Sequence, residues 1–147
     1  QFISSLFLAE PIRLVDGGSQ KRCFTYIDDG IACLMRIIEN KEDRCNGQIF
    51  NIGNPLNEAT VKDLAIKLKT MFTEDARTKH YTRHSEIIEV YSRDFYGEGY
   101  QDIDRRVPSI AKAREILGWE PVVDLDTALR KTLDYYLETS LPGETDR

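Results

Sequence analysis

Apolar residues recur every three or four positions along four stretches of the chain, and this spacing predicts helices. The predicted helices cover residues 28–40, 61–73 and 109–117, and a last helix that opens at Asp124 or Asp126 and runs to 139. Thr60 and Ser109 are expected to cap the second and third of these helices, and Gly118 is expected to end the third. Residues 1–9 have the spacing of a helix end, which Pro11 terminates.

Shorter stretches rich in β-branched and aromatic residues predict strands. They cover residues 12–15, 21–27, 48–52 and 87–91. The turn at 16–19 contains glycines that permit positive φ, so we predict a β-hairpin from the first two strands. In that hairpin Arg13 and Arg22 face each other near the open end. The connection 92–108 is long and rich in Tyr, Gly, Asp and Arg, which favours a functional loop.

Composition narrows the class of protein. Among the 147 residues, 41% are hydrophobic and 31% are charged, as in ordinary soluble globular proteins. The net charge of −5, with both signs interspersed, argues against a nucleic-acid-binding surface. No apolar run approaches the roughly 20 residues of a membrane span, and no signal peptide is evident. The prediction is therefore a protein that binds neither nucleic acid nor membrane.

Cysteines and histidines give little sign of metal or disulfide chemistry. The three cysteines are odd in number and lack Cys-x-x-Cys spacing, so we expect reduced thiols in a cytoplasmic protein. His80 and His84 stand four residues apart in a charged stretch without an evident third ligand, which favours a solvated loop over a metal site. Asp28 and Asp29 could act as acid and base, but helix capping explains them more simply.

The fold class expected from these elements is α/β, mixed and helix-rich. No glycine-rich dinucleotide fingerprint lies between a strand and a helix, so we expect no cofactor loop in this chain. The chain begins with Gln1 inside a helical pattern, which favours a fragment of a longer protein.

Three motifs resemble the extended short-chain dehydrogenases that act on nucleotide sugars. They are RLVDGGSQKRCFTYIDD at 13–29, FNIGNP at 50–55 and SIAKAREILGWEP at 109–121. A fourth motif, FYGEGYQDIDRR at 95–106, is similar to the UDP-glucuronic acid decarboxylase domain of the bifunctional polymyxin-resistance protein and to plant UDP-apiose/UDP-xylose synthases. The resemblance runs from about Phe2 to Leu137.

The resemblance implies an NAD-dependent enzyme that oxidises C4 of UDP-glucuronate and then releases carbon dioxide. The product would be a UDP-4-keto-pentose or UDP-xylose, and the polymyxin-resistance type serves lipid A modification. Residues 1–139 would form the C-terminal substrate-binding lobe, with a polar tail at 140–147 and the Rossmann core absent. Because NAD and the Tyr-x-x-x-Lys base would belong to the missing half, this chain alone would be inactive. The complete enzyme would be a homo-oligomer.

The resemblance also implies the site residues. The positions that match substrate contacts are Arg13, Leu14, Val15, Asp16, Gly17, Gly18, Ser19, Gln20, Lys21, Arg22 and Tyr100. Arg106 matches the catalytic arginine, and its neighbour Arg105 is a competing assignment. A guanidinium suits phosphate or carboxylate binding, whereas its high pKa makes direct proton donation difficult. An epimerase or 4,6-dehydratase lobe, or a non-catalytic nucleotide-sugar binding module, remains an alternative.

Overall fold

The computed structural model describes residues 1–78, 85–99 and 102–139. The α-helices of this part are α1 (Phe2–Phe7), α2 (Ile27–Glu39), α3 (Val61–Glu74), α4 (Ser92–Tyr96), α5 (Ala111–Leu117) and α6 (Leu125–Thr139). The strands are β1 (Ile12–Val15), β2 (Lys21–Cys23), β3 (Glu58–Thr60), β4 (Ile87–Val90) and β5 (Arg105–Arg106). Short 3₁₀ turns occupy Asp16–Gly18 and Lys41–Asp43. The mixed, helix-rich α/β class is confirmed.

The chain divides into two compact units, of which the first combines residues Gln1–Gln20, Thr60–Asp104 and Leu129–Arg147. In this unit β1 pairs in parallel with β4, from Ile12 opposite Ile87 to Val15 opposite Val90. The buried apolar side chains of this unit include Ile3, Leu6, Ile12, Leu14, Ala65, Leu68, Phe72, Leu129 and Leu133. The Thr60 hydroxyl accepts a hydrogen bond from the Asp63 amide, and the Asp63 carboxylate accepts one from the Thr60 amide, so the predicted cap of α3 is confirmed.

The second unit comprises Lys21–Ala59 and Arg105–Ala128. Its core holds Cys33, Ile110, Ala113 and Trp119, with Ile37, Phe50, Ile52 and Leu117 packed around them. Trp119 is 1% exposed, and its indole N–H donates to the Asp29 carbonyl at 3.0 Å. Gly118 ends α5 with a φ of +61°, which glycine adopts without steric cost. The predicted end of this helix at Gly118 is therefore confirmed.

The predicted hairpin is wrong. β1 pairs with β4, whereas β2 lies between β3 and β5 in a separate sheet. Asp16, Gly17 and Gly18 all have positive φ and form a 3₁₀ turn between β1 and β2. Arg13 and Arg22 consequently do not face each other across a two-stranded ribbon.

Three other local predictions need correction. Residues 48–52 form no strand, since no described strand pairs with them, and Ile49 is 84% exposed. The helix predicted from Ser109 begins only at Ala111, with Ile110 at its N-cap position and no side-chain cap. The connection 92–108 contains α4 and β5, and is not an irregular loop throughout.

Candidate functional site

A pair of arginines stands side by side in the three-stranded sheet of the second unit. The order of strands is β3-β2-β5, and β2 runs parallel to β5 with Arg22 opposite Arg106. Residues in register on neighbouring strands point to the same face of the sheet, so the two guanidinium groups share one face. Arg22 is half-buried and donates to the Lys21 carbonyl at 2.7 Å, while Arg106 is exposed. Such a pair can bind an anion through several charge-assisted hydrogen bonds.

Arg105 points to the opposite face, where it is engaged with Glu58. Its Nε and Nη2 atoms donate to the two carboxylate oxygens of Glu58 at 2.5 and 3.1 Å. The hydrogen bonds from Arg105 hold the pKa of the Glu58 carboxyl below its usual value, and those with Glu58 raise the pKa of Arg105. Both groups therefore stay charged at neutral pH. Among the described residues, the Arg106 side chain makes no hydrogen bond or ion pair, so the side chains of the two consecutive arginines have different surroundings.

Cys23 lies on the same strand as Lys21, two positions further on, and so on the same face as the Glu58–Arg105 pair. Burial, followed by the nearby charge of Glu58, raises the pKa of its thiol. A raised pKa disfavours the thiolate, so Cys23 is not an activated nucleophile.

The predicted substrate segment from Arg13 to Gln20 belongs to the first unit, and Lys21 and Arg22 belong to the second. Within the first unit Arg13 is exposed, whereas Leu14 is 3% exposed and packs into the core, so it could offer a ligand only its backbone. Val15 and Gln20 are half-buried, and Ser19 is exposed. The Gln20 carbonyl accepts a hydrogen bond from the Val61 amide, which fixes the end of the segment.

The turn at Asp16–Gly18 is held by the protein itself. The Asp16 carboxylate accepts a hydrogen bond from the Ser92 amide at 2.9 Å. A Cβ atom at Gly18 would lie 3.0 Å from the Lys62 amide nitrogen, and one at Gly17 would lie 3.4 Å from the Glu89 carboxylate. The close backbone approach that glycine permits here is therefore an approach to neighbouring protein atoms.

Asp29 has a role that sequence reasoning missed. It is 4% exposed, and its two carboxylate oxygens accept hydrogen bonds from the amides of Val122 and Val123 at 3.1 and 3.0 Å. The N-cap position of α2 is Tyr26, so the predicted N-cap in the Asp28–Asp29 pair is wrong, although both carboxylates do lie in the first turn of α2, near the positive end of its dipole. The missing signal was a long-range contact, because the amides that Asp29 binds lie more than 90 residues away.

Several predicted features lie outside the described residues or outside a common cavity. Tyr100, His80, His84 and the tail 140–147 fall outside the described residues. A cavity of about 510 Å³ in the second unit is lined by Ala32, Met35, Arg36, Glu39, Lys41, Arg44, Cys45 and Leu117. None of the predicted site residues lines this cavity. Within the described ranges, no cluster of three or more metal-ligating side chains occurs.

The described residues also bear on cofactor and membrane binding. β1 leads into the short 3₁₀ turn and not into a helix, so the strand–glycine loop–helix unit that cradles a dinucleotide is not formed there. No helix among the described residues combines the length and the apolarity required to cross a bilayer.

The mixed α/β fold with its small sheets is that of the nucleotide-sugar epimerases and dehydratases. The chain belongs to the family described as GDP-mannose 4,6 dehydratase, whose model matches residues 5–132. The family is one of enzymes.

Solved structures agree with this assignment. The PbgP3 protein from Burkholderia pseudomallei is 38% identical, with a TM-score of 0.81 over 95% of this chain and 38% of its own. UDP-glucose 4-epimerase from Thermotoga maritima, solved with UDP-glucose, is 26% identical, with a TM-score of 0.71 over 94% of this chain and 38% of its own. UDP-glucuronic acid 4-epimerase from Bacillus cereus, in complex with UDP-glucuronic acid and NAD, shares the fold at 23% identity and a TM-score of 0.75, over 95% of this chain and 39% of its own. The chain thus spans less than two fifths of these proteins.

Proposed function

We propose that this chain is the substrate-binding part of an NAD-dependent UDP-glucuronate decarboxylase and is inactive without the remainder of the enzyme. The observation that supports this most directly is the register of Arg22 with Arg106. Two guanidinium groups in register on neighbouring strands can together donate several charge-assisted hydrogen bonds to one bound anion. UDP-glucuronate offers both a diphosphate and a carboxylate.

The chemistry assigns different tasks to the two arginines. NAD, held by a part of the enzyme outside this chain, would supply the oxidation at C4. In the resulting 4-keto acid the C5–C6 bond breaks, carbon dioxide leaves, and the electron pair moves onto the C4 oxygen as an enolate. Arg106 binds the carboxylate and then stabilises the enolate charge, while Arg22 binds the diphosphate. Protonation at C5 comes from water, because a guanidinium is too weak an acid for efficient transfer.

The contacts of Arg105 and Arg106 favour Arg106 as the residue that binds the substrate carboxylate. Both Arg105 hydrogen bonds to Glu58 would have to break before Arg105 could bind a substrate carboxylate. Arg106 is exposed and makes no comparable bond within the described part of the chain. We therefore assign the catalytic role to Arg106. The segment from Arg13 to Gln20 and Tyr100 are proposed as further nucleotide-sugar contacts.

Exposed apolar surface on the second unit supports the view that the chain belongs to a larger enzyme. One face of α2 exposes Ile27, Ile31, Leu34, Met35 and Ile38, by 44–72% of each residue. Residues 48–52 have the composition of a strand but no partner among the described strands. Contiguous apolar patches of this kind are usually covered by protein, and the matched structures contain more than twice this length of chain.

The test replaces Arg106 by alanine in the enzyme that contains this chain. We expect carbon dioxide release from UDP-glucuronate to fall by about 100-fold or more, since one lost charge-stabilising donor costs that much, whereas UDP affinity stays within about threefold. Arg22→Ala should instead weaken UDP binding by about tenfold or more. Arg114→Ala is the matched control, because Arg114 is an exposed arginine of the same unit that pairs with Glu120. Unchanged carbon dioxide release in Arg106→Ala would refute the decarboxylase assignment.

A second candidate is an epimerase lobe, which the 26% identity to UDP-glucose 4-epimerase favours. An epimerase returns the hydride without losing carbon. Incubating the enzyme with UDP-glucose and with UDP-glucuronate, and measuring both C4 inversion and carbon dioxide, separates the two functions.

A further inference from the structure

We propose that Glu58 is a positioning residue that selects which of two consecutive arginines faces the substrate. The inference rests on the proposed function of Arg106. Glu58 lies in β3 and Arg105 in β5, and β2 runs between these two strands. Their ion pair therefore crosses the central strand and ties one edge of the sheet to the other.

The geometry allows the Glu58–Arg105 ion pair to act as an anchor that holds β5 in its register. Neighbouring strands are about 4.8 Å apart, so the two outer strands are separated by about 10 Å, a gap that the long side chains of Glu and Arg can bridge. The two hydrogen bonds at 2.5 and 3.1 Å join both carboxylate oxygens to the guanidinium, an arrangement that fixes orientation as well as distance. The Glu58 side chain is 24% exposed and that of Arg105 is 64% exposed, so the carboxylate is the more firmly held partner.

Strand β5 needs such an anchor because it is only two residues long. Its pairing with β2 consists of Lys21 opposite Arg105 and Arg22 opposite Arg106. Side chains alternate between faces, so a slip of one residue would turn Arg106 away from Arg22 and put Arg105 in its place.

Other charged groups on the Glu58 face do not replace the anchor. Lys21 shares this face with Arg105, and its charge also lowers the pKa of Glu58. It lies on β2, however, so attraction between Glu58 and Lys21 leaves β5 unrestrained. Only a partner on β5 can transmit the position of Glu58 to Arg106.

The experiment uses Glu58→Ala in the enzyme that contains this chain, with Glu120→Ala as the matched control. Glu120 also pairs with an exposed arginine of the second unit, but one outside the sheet. Misplacing a catalytic group by about 1 Å can cost about 100-fold, so we expect kcat for carbon dioxide release to fall at least about tenfold in Glu58→Ala. The affinity for UDP should remain within about twofold, and Glu120→Ala should behave as wild type.

Two further variants separate positioning from stability. Exchanging the charges in the double variant Glu58→Arg with Arg105→Glu should restore kcat to within about threefold of wild type. In an Arg106→Ala background, Glu58→Ala should cause no additional loss of carbon dioxide release, because the group it positions is gone. A Glu58→Ala protein with a lowered Tm but unchanged kcat, or a charge exchange that restores folding but not kcat, would overturn the inference. Loss of activity in Arg106→Ala with none in Glu58→Ala refutes this inference alone, whereas full activity in Arg106→Ala refutes the proposed function.

Discussion

The two consecutive aspartates at the start of α2 allow a sharp test of what holds the second unit together. Asp28 is exposed, and Asp29 is 4% exposed with both oxygens bonded to backbone amides. If the two carboxylates served α2 through its dipole, replacing either by alanine would have a similar and small effect. If Asp29 instead joins α2 to the segment 122–123, only its replacement should be costly.

The magnitude follows from the contacts. Asp29→Ala removes two hydrogen bonds, at 3.1 and 3.0 Å, to an ionised acceptor and leaves the amides of Val122 and Val123 without it. Bonds to charged groups contribute about 1.5–3 kcal/mol each, and some of that loss is recovered when water reaches the freed amides. We expect the free energy of unfolding to fall by about 3 kcal/mol. Asp28→Ala should cost about 0.5 kcal/mol, the value of an exposed charge near a helix N-terminus.

Urea denaturation followed by tryptophan fluorescence measures this difference. Trp119 is the only tryptophan of the sequence, and its indole donates to the Asp29 carbonyl, so its emission reports on the same unit. Asp29→Asn serves as an isosteric variant, which keeps one acceptor oxygen but places an N–H group against the other amide. Its loss of stability should lie between those of Asp28→Ala and Asp29→Ala. Equal losses of stability in Asp28→Ala and Asp29→Ala would refute the reasoning and restore the helix-dipole explanation.

Two further predictions concern Gly18 and Asp75, which belong to the first unit. Gly18→Ala should lower the free energy of unfolding by about 2 kcal/mol, because its φ is +68° and the new Cβ would lie 3.0 Å from the Lys62 amide nitrogen. Gly47→Ala is the control, because Gly47 has a φ of +67° but a Cβ there would meet nothing within 4 Å, and it should cost about 1 kcal/mol. Thermal unfolding measures both losses of stability. Equal losses would show that contact with the Lys62 amide does not contribute. The side-chain hydrogen bonds from Arg77 lower the pKa of Asp75 from its ordinary value of 3.8 to about 2. The ionised Asp75 carboxylate therefore stabilises the folded protein fully above pH 3.8, and this contribution is lost as the pH falls towards 2. At neutral pH, wild type should be more stable than Asp75→Asn by about 1 kcal/mol, a value kept small because solvent surrounds the half-exposed Arg77. In acid titrations this difference in the free energy of unfolding should vanish near pH 2. A difference that stays constant with pH would contradict the prediction.

Local patterns predicted the helices well because helical signals are contained within the segment. The apolar spacing of 61–73 and the Thr60 cap required no knowledge of the rest of the chain, and the helix extends from Val61 to Glu74. The strands depended on partners that the pattern does not reveal. Residues 12–15 were predicted as a strand, yet their partner is Ile87–Val90, more than 70 residues later. Residues 48–52 had an equally good pattern and found no partner among the described strands.

At the candidate site, too, the local sequence does not reveal the long-range contacts that distinguish the residues. The sequence presents Arg105 and Arg106 as equivalent neighbours, and the motif alone left the choice between them open. What distinguishes them is the two-residue alternation of a strand combined with its register against β2, together with a carboxylate 47 residues earlier in the chain. Because side chains alternate between the faces of a strand, only one of Arg105 and Arg106 can lie on the same face as Arg22. The residue that binds the other arginine determines which of the two it is. Under the proposed function, Glu58 therefore selects the catalytic arginine from the face of the sheet turned away from the proposed substrate.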